Sequence, residues 1–302
     1  MKVPIEERWF TVVNPAAGGG RCGKRAPSAL AKIREAGLEL DVRSTTGPAQ
    51  ASQMVKDAWA DGYRRFLGLG GDGTGFEIIN GLFPNETDER PTLALLPLGT
   101  GNSFLRDFAI DNPETALRAI TRGETHTCDV VRATHAAGEL HYINLLSLGF
   151  SAEAGHLTNE RFKPFGPAGY IAAVLMTAAR LKSPVFPLRV DDGMTDERPC
   201  VLLSFSNSRY TAGTMMMAPH ADASDGALDV IRIGEMGRLS FVKSFPKIFA
   251  GTHVTHPGVE ESQAHRIDLD LPGPVNVMVD GEILELMLER LEVVPGAVEI
   301  VA

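Results

Sequence analysis

Residues 64–81 read RRFLGLGGDGTGFEIING. An apolar run, a glycine-dense turn and a second apolar run predict a strand, a tight connection and a helix. Gly68, Gly70 and Gly73 satisfy the spacing G-x-G-x-x-G, yet Asp72 sits inside the turn. A dinucleotide fold of the Rossmann kind carries this motif at its first strand, with an acid about 20 residues on at the end of the next strand. Here the motif follows the third strand. The acids at that distance, Glu86, Asp88 and Glu89, fall in the loop PNETDERP before the next strand. Asp72 suggests a different phosphate chemistry, in which a divalent cation or a transferable proton stands between carboxylate and phosphate. The alternative is a turn aspartate that hydrogen-bonds its own backbone.

Outward from this loop, the first half of the chain alternates strand and helix. WFTVV (9–13) ends at Asn14-Pro15, and a helix is expected over Pro27–Ala36, stopped by Gly37. LELDVRST is then a strand, PAQASQMVKDAWADG a helix, GTGFEIINGLF a helix, PTLALLPLG a strand, and TGNSFLRDF and NPETALRAITRG helical pieces. That rhythm predicts a parallel sheet flanked by helices. From about residue 130 most runs are strand-like, including CDVVRAT, ELHYINLLSLGF, PCVLLSFSNS, ALDVIRI, HRIDLDL and VNVMVDGE. Helical patterns interrupt them only near 167–181 and 237–250, so an antiparallel β domain is expected. The expected architecture is α/β plus β, with a cleft between the halves, where ligands preferentially bind.

The 302 residues carry a formal charge of −9, with 44% apolar and 22% charged residues. No Lys/Arg run is dense enough to follow a nucleic-acid backbone, so nucleic acid is not an expected partner. Three widely spaced cysteines (Cys22, Cys128, Cys200) indicate neither a disulfide framework nor a metal cluster. A reducing, cytoplasmic compartment follows. The opening MKVPIEERWFTVVNP has acids where a signal peptide is apolar. The longest apolar stretch, GYIAAVLMTAARL (169–181), is shorter than the roughly 20 residues that cross a bilayer.

Two more glycine loops invite phosphate. In GGGRCGKR, Gly18, Gly23 and Lys24 fit G-x-x-x-x-G-K, but Arg25 stands where a P-loop needs a Ser or Thr hydroxyl for magnesium. In LLPLGTGNSFLRDF (95–108), Thr100 and Asn102 add side-chain donors to a strand-to-helix turn. Three such loops at successive strand ends of one parallel sheet share the edge where ligands bind. Downstream, NVMVDGEILE holds Asp280 and Glu282 around Gly281, which is also the pattern of a plain D-G hairpin. PHADASDGALDV offers Asp222, Asp225 and Asp229, which with intervening carbonyls suit a hard cation or a solvated loop.

Taken together these residues resemble the diacylglycerol kinase catalytic-domain family, which includes soluble bacterial lipid kinases and, more distantly, sphingosine kinases and NAD kinases. The resemblance runs nearly end to end. It covers Asn14-Pro15 with its glycines, TTGPAQA (45–51), GGDGT (70–74), LGTGNSFLRDF (98–108), ALRAITRGETHTCDV (116–130), APHADASDGALDV (218–230), VDGE (279–282) and the closing LEVVPGAVEIVA. It implies a nucleotide-binding domain of residues 1–130 with 288–302 returning to it, and a β-sandwich lipid domain of residues 131–287. It implies ATP bound by Asn14, Thr45, Thr46, Gly70, Gly71, Asp72, Gly73, Thr74, Gly75, Phe76, Thr100 and Asn102. It further implies Glu282 as general base, Asp72 on catalytic Mg2+ or sharing that role, and Asp280 grouped with them. Asp222, Asp225 and the Ala227 carbonyl match a second Mg2+ site, and Asp129 an acid near the cleft. Two positions depart from the family: Phe76 replaces the usual asparagine, and Ala17-Gly18-Gly19 replaces Ser-Gly-Lys, leaving Arg21 or Lys24 to supply positive charge.

The activity implied is transfer of the ATP γ-phosphate to a lipid hydroxyl such as that of diacylglycerol, at the membrane surface through peripheral contact on the inner face. A homodimer is the working assembly. RFKPFGPAGYIAAVLMTAARL (161–181) and TMMMAP (214–219) are the apolar candidates for the lipid, or else core. The alternatives are an NAD kinase-like phosphotransferase with a soluble acceptor and a nucleotide sensor without transfer activity. LGTGNSF and SDGALDV favour the lipid branch.

Overall fold

The computed structural model describes residues 3–302 apart from 86, 88, 100, 101 and 163–165. The chain divides into two compact units, residues 1–130 with 294–302, and residues 131–293.

In the first unit β1 (Trp9–Val13), α1 (Arg21–Glu35), β2 (Leu40–Ser44), α2 (Gln50–Ala60), β3 (Arg65–Gly70), α3 (Asp72–Leu82), β4 (Thr92–Pro97) and α4 (Pro113–Arg122) alternate, and β5 (Thr125–His135) leads out of it. The sheet order is β2-β1-β3-β4, and every neighbouring pair is parallel. All five residues of β1 are buried, as a central parallel strand covered on both faces requires. α1 buries Cys22, Ala26, Leu30 and Ile33, one stripe at helical spacing. α3 lies close on α2 because Gly81 has no side chain; a Cβ there would fall on the Ser52 carbonyl. Asn112 caps α4 by accepting from the Thr115 N–H at 2.9 Å, and Gly123 ends it in the left-handed region.

One helix begins earlier than expected. α1 starts at Arg21 and carries Pro27 inside it rather than in its first turn. Gly18, Gly19 and Gly20 all have positive φ, so the chain turns on glycines and enters the helix directly behind them.

The second unit holds β6 (Gly138–Tyr142), β7 (Leu145–Gly149), α5 (Phe150–Leu157), α6 (Gly166–Ala179), β8 (Leu188–Val190), β9 (Thr195–Asp196), β10 (Cys200–Ser206), β11 (Tyr210–Thr211), β12 (Met215–Met216), β13 (Leu228–Gly234), α7 (Arg238–Ser244), β14 (Val259–Ala264), β15 (Arg266–Leu269), β16 (Val275–Val279) and β17 (Glu282–Leu286). Six of these strands form a sheet in the order β14-β13-β10-β7-β16-β17, antiparallel throughout. The last strand, β18 (Leu288–Val301), pairs antiparallel with β15 through Arg290–Glu292 and parallel with β4 through Glu299 and Ile300. The architecture is thus the α/β plus antiparallel β that the pattern predicts. α5 was not legible: its sequence continues the strand-like ELHYINLLSLGF, but the chain turns at Gly149, φ +81, where a Cβ would collide with the Val201 carbonyl at 2.5 Å. Among the described residues no helix is long and apolar enough to cross a membrane.

Candidate functional site

The strand order reverses between β1 and β3, and the loops after those strands meet there, the place where open α/β sheets bind ligands. The Asn14 N–H donates to the Leu69 carbonyl at 3.0 Å, and its Nδ2 lies 3.3 Å from Thr74 Oγ1. Thr45 is buried and donates its N–H to the Val13 carbonyl at 2.9 Å. The third loop closes on the first two: the Leu98 and Gly99 N–H groups both donate to the Gly70 carbonyl, at 2.8 and 2.7 Å. Gly99 has to be glycine, because a Cβ would sit 2.7 Å from Gly71 Cα. A Cβ on Gly18 would stand 3.0 Å from the Leu98 carbonyl, so the first glycine loop also borders this edge.

Asp72 opens α3, where the helix dipole favours a carboxylate. Both its oxygens accept from the Ser103 N–H, at 2.9 and 3.2 Å. Gly70, Gly71, Asp72 and Asn102 line one small cavity. Gly73, Thr74, Gly75 and Phe76 continue the first turns of α3, with Phe76 half-buried. Thr100 lies outside the described residues. Thr46 donates through its N–H and hydroxyl to Gln50 Oε1, at 2.8 and 3.1 Å.

Glu77 was missed by sequence reasoning. Its carboxylate accepts from the Ala49 and Ala51 N–H groups, at 3.0 and 2.9 Å, capping α2 from a neighbouring helix and fixing the turn after Thr45-Thr46. Nothing in the local sequence reveals a cap supplied from 26 to 28 residues away. Arg21, a candidate positive group, turns back so that its Nε donates to the Gly18 carbonyl at 2.9 Å.

In the second unit, β16 and β17 are joined by Asp280-Gly281, both at positive φ (45° and 86°), a two-residue type I′ turn. The Asp280 carboxylate is buried and accepts from three backbone N–H groups: Ile143 at 3.1 Å, Asn144 at 3.1 Å and Leu145 at 3.0 Å. Burial pushes its carboxyl up to about 7 against the pull of those donors. Both its oxygens accept from backbone, so Asp280 ties the turn that precedes Glu282 to the 143–145 segment. Glu282 is exposed, first in β17. The backbone that Asp280 holds is tied further by Asn207, whose N–H reaches the Asn144 carbonyl at 2.8 Å and whose Nδ2 reaches the Ile143 carbonyl at 2.9 Å. Ser208 Oγ donates to Asn144 Oδ1. These fully buried polar residues were also missed, since SFSNS reads only as a strand end.

Asp222 and Asp225 are exposed, and the Ala227 residue is buried beneath them. Asp222 Oδ1 accepts from Ser224, Asp225 Oδ1 from the Ala227 N–H at 2.9 Å and Asp225 Oδ2 from Gln263 at 3.1 Å. Two carboxylates and a carbonyl are oxygen donors of the kind Mg2+ accepts. Burial, then the Asp225 and Glu261 charges, push the neighbouring Asp229 up to about 6, so this end of the unit is crowded with negative charge. Among the described residues no group of three or more His, Cys, Asp or Glu side chains forms a ready metal centre. Asp129 is buried and accepts from the Gly296 N–H at 2.7 Å, a structural contact inside the first unit.

The second unit holds an apolar cavity of about 50 Å³, open to solvent on one side and lined by Met215, Met217, Met236 and Met278 with Phe241 and His253. Met215 and Met217 come from the TMMMAP candidate. Val174 and Ala178, from the other candidate, belong to the buried cluster beside it. His253 Nε2 lies 3.0 Å from the Met217 carbonyl, and its Nδ1 is buried with no partner among the described residues. Burial lowers its pKa, so the ring is neutral and Nδ1 is a lone acceptor in an oily wall.

A parallel α/β unit with phosphate-type turns, followed by an antiparallel β unit with an apolar cavity, defines a two-domain kinase architecture. Residues 8–133 match the diacylglycerol kinase catalytic domain, and residues 144–302 match the YegS C-terminal NAD kinase beta sandwich-like domain. The chain belongs to this family of diacylglycerol kinase-like lipid kinases. A diacylglycerol kinase of Mycobacterium tuberculosis is 29% identical over 96% of this chain and 93% of its own length. One of Staphylococcus aureus is 27% identical over 92% and 87%. A solved structure from Bacillus anthracis superposes with a TM-score of 0.80 at 26% identity, covering 99% of this chain and 96% of its own.

Proposed function

We propose that this protein is an ATP- and Mg2+-dependent lipid kinase that transfers the γ-phosphate of ATP to the hydroxyl of a lipid such as diacylglycerol. The observation that carries the reading is the convergence of three glycine turns and Asp72 at the switch point of a parallel sheet. Phosphoryl transfer asks for positioning and charge compensation more than for covalent chemistry, and backbone N–H groups supply both. Asn14, Thr45, Thr74 and Asn102 would hold the nucleotide with the Gly70–Gly75 backbone, and Thr46 through its turn. Mg2+, when bound to Asp72, offsets repulsion between carboxylate and phosphates; Asp222, Asp225 and the Ala227 carbonyl would hold a structural ion. Glu282, presented by the Asp280-anchored turn, would accept the proton of the attacking hydroxyl. The methionine-lined cavity would take the start of an acyl chain, because Met side chains adapt their shape to make room.

The test is incubation of the purified chain with labelled ATP, Mg2+ and a lipid extract in mixed micelles, with mass-spectrometric identification of the product. Phosphorylated lipid is expected, with turnover reduced at least ~100-fold in Glu282→Ala and Asp72→Ala that fold normally. Phosphorylated NAD without lipid product would make the chain an NAD kinase-like enzyme, and nucleotide binding without any product would make it a sensor.

A further inference from the structure

One face of the second unit combines exposed apolar side chains with unpaired cations. On α7 and the 3-10 turn that follows it (Phe245–Ala250), Leu239 is 68% exposed, Val242 43% and Phe249 53%. Leu239, Val242 and Lys243 stand three and four residues apart, on one side of the helix. Arg238, Lys243 and Lys247 are exposed beside them, and none forms an ion pair among the described residues. No Asp or Glu occurs from residue 236 to 259, although 38 acids in 302 residues would put about three in a stretch this long. A chain of charge −9 thus keeps one segment locally positive. The opposite faces of the same elements, Phe241, Ser244, Phe245 and Ile248, line the apolar cavity.

We propose that α7 and the following turn dock on an anionic phospholipid bilayer, with Leu239, Val242 and Phe249 entering the interface and Arg238, Lys243 and Lys247 meeting lipid phosphates. Large apolar groups rimmed by Lys and Arg are the chemistry of a segment that lies in a membrane surface without spanning it. The arrangement gives a lipid leaving the bilayer a short route: the elements that touch the headgroups also wall the cavity. This deepens the lipid-kinase reading and rests on it for its purpose, but the binding it asserts needs no turnover.

The test measures co-sedimentation of the full chain, without nucleotide, with phosphatidylcholine vesicles that contain or lack phosphatidylglycerol. Binding is expected only with phosphatidylglycerol, weakening as salt shortens the screening length. Arg238→Gln/Lys243→Gln/Lys247→Gln should weaken it on the order of 100-fold, since each cation near such a surface contributes about fivefold. Leu239→Ser/Phe249→Ser should weaken it at least ~10-fold by removing buried apolar area. Lys32→Gln/Arg34→Gln/Lys56→Gln, which removes the same charge from exposed sites in the first unit, should bind like the parent. Equal binding of parent and α7 variants, equal binding to both vesicles, or no binding would overturn the proposal. So would concentration-dependent self-association abolished by the same variants, which would make the face a contact between copies. A chain that phosphorylates detergent-dispersed lipid yet fails this assay refutes the docking face alone.

Discussion

Asp280→Ala removes the carboxylate that receives the Ile143, Asn144 and Leu145 N–H groups and leaves three donors buried without it. Above about pH 7, where the carboxyl is ionised, hydrogen bonds to a charged acceptor contribute about 1.5–3 kcal/mol each and do not add fully, so the loss there is roughly 3–6 kcal/mol. Alanine at φ 45° adds about 1 kcal/mol of backbone strain, which Asp280→Gly avoids; the difference between the two variants isolates it. Thermal unfolding should shift down by roughly 10 °C or more. Hydrogen exchange gives the local readout: protection at the 143–145 amides should collapse while β1 and β3 are unaffected. The pH dependence follows from the carboxyl's folded pKa, pushed up to about 7 by burial, against about 4 for an unfolded aspartate. The native state then binds this proton more tightly than the unfolded chain. The contribution is complete below about pH 4 and is lost as pH rises through about 7, by about 4 kcal/mol over the window. Asp280→Asn removes this group's part of the slope and leaves that of Asp229, while its amide sets one donor against a backbone N–H. Unchanged protection at 143–145 in Asp280→Ala, or a pH slope as steep in Asp280→Asn as in the parent, would refute the assignment. Full stability of Asp280→Asn together with abolished turnover would return Asp280 to the proton-transfer step.

Glu77→Ala removes the cap of α2, so stability should fall by about 1–2 kcal/mol. The KM for nucleotide should rise several-fold with kcat less affected; an unchanged KM in the destabilised variant would take the Thr45-Thr46 turn out of the nucleotide site. Gly99→Ala forces a methyl against Gly71, a crowding that costs about 1–3 kcal/mol, and should displace the Asp72 loop. Its expected signature in steady-state kinetics is at least a tenfold lower kcat/KM; parental kinetics would show that the Gly70–Gly99 contact does not set the site.

What the sequence disclosed and what it withheld divide along a physical line. Strand runs, glycine turns and capped helices are local, and WFTVV, RRFLGLG and NPETALRAITRG each carry their own signals, so the parallel sheet and its loop edge were legible. The D-G turn before Glu282 was legible for the same reason, because two consecutive positive φ angles demand those residue types. Asp280 was ambiguous because a turn aspartate and a catalytic aspartate look alike in one dimension. Only burial, and three donors from a segment about 135 residues earlier, separate them. Glu77 and Asn207 were hidden similarly: each serves backbone that the chain brings near only after folding. Pro27 misled in the opposite direction, since a proline is commonest in a first turn, yet here the preceding glycines carry the turn and the helix absorbs the proline. The α7 face shows a third case. Its lack of acids is visible in the letters, but only exposure shows that Leu239, Val242 and Phe249 face outward while Phe241 and Ile248, interleaved with them, line the cavity. A segment with two apolar faces, only one of them buried by the fold and the other ringed by cations, is the pattern that the proposed docking on a negatively charged bilayer uses.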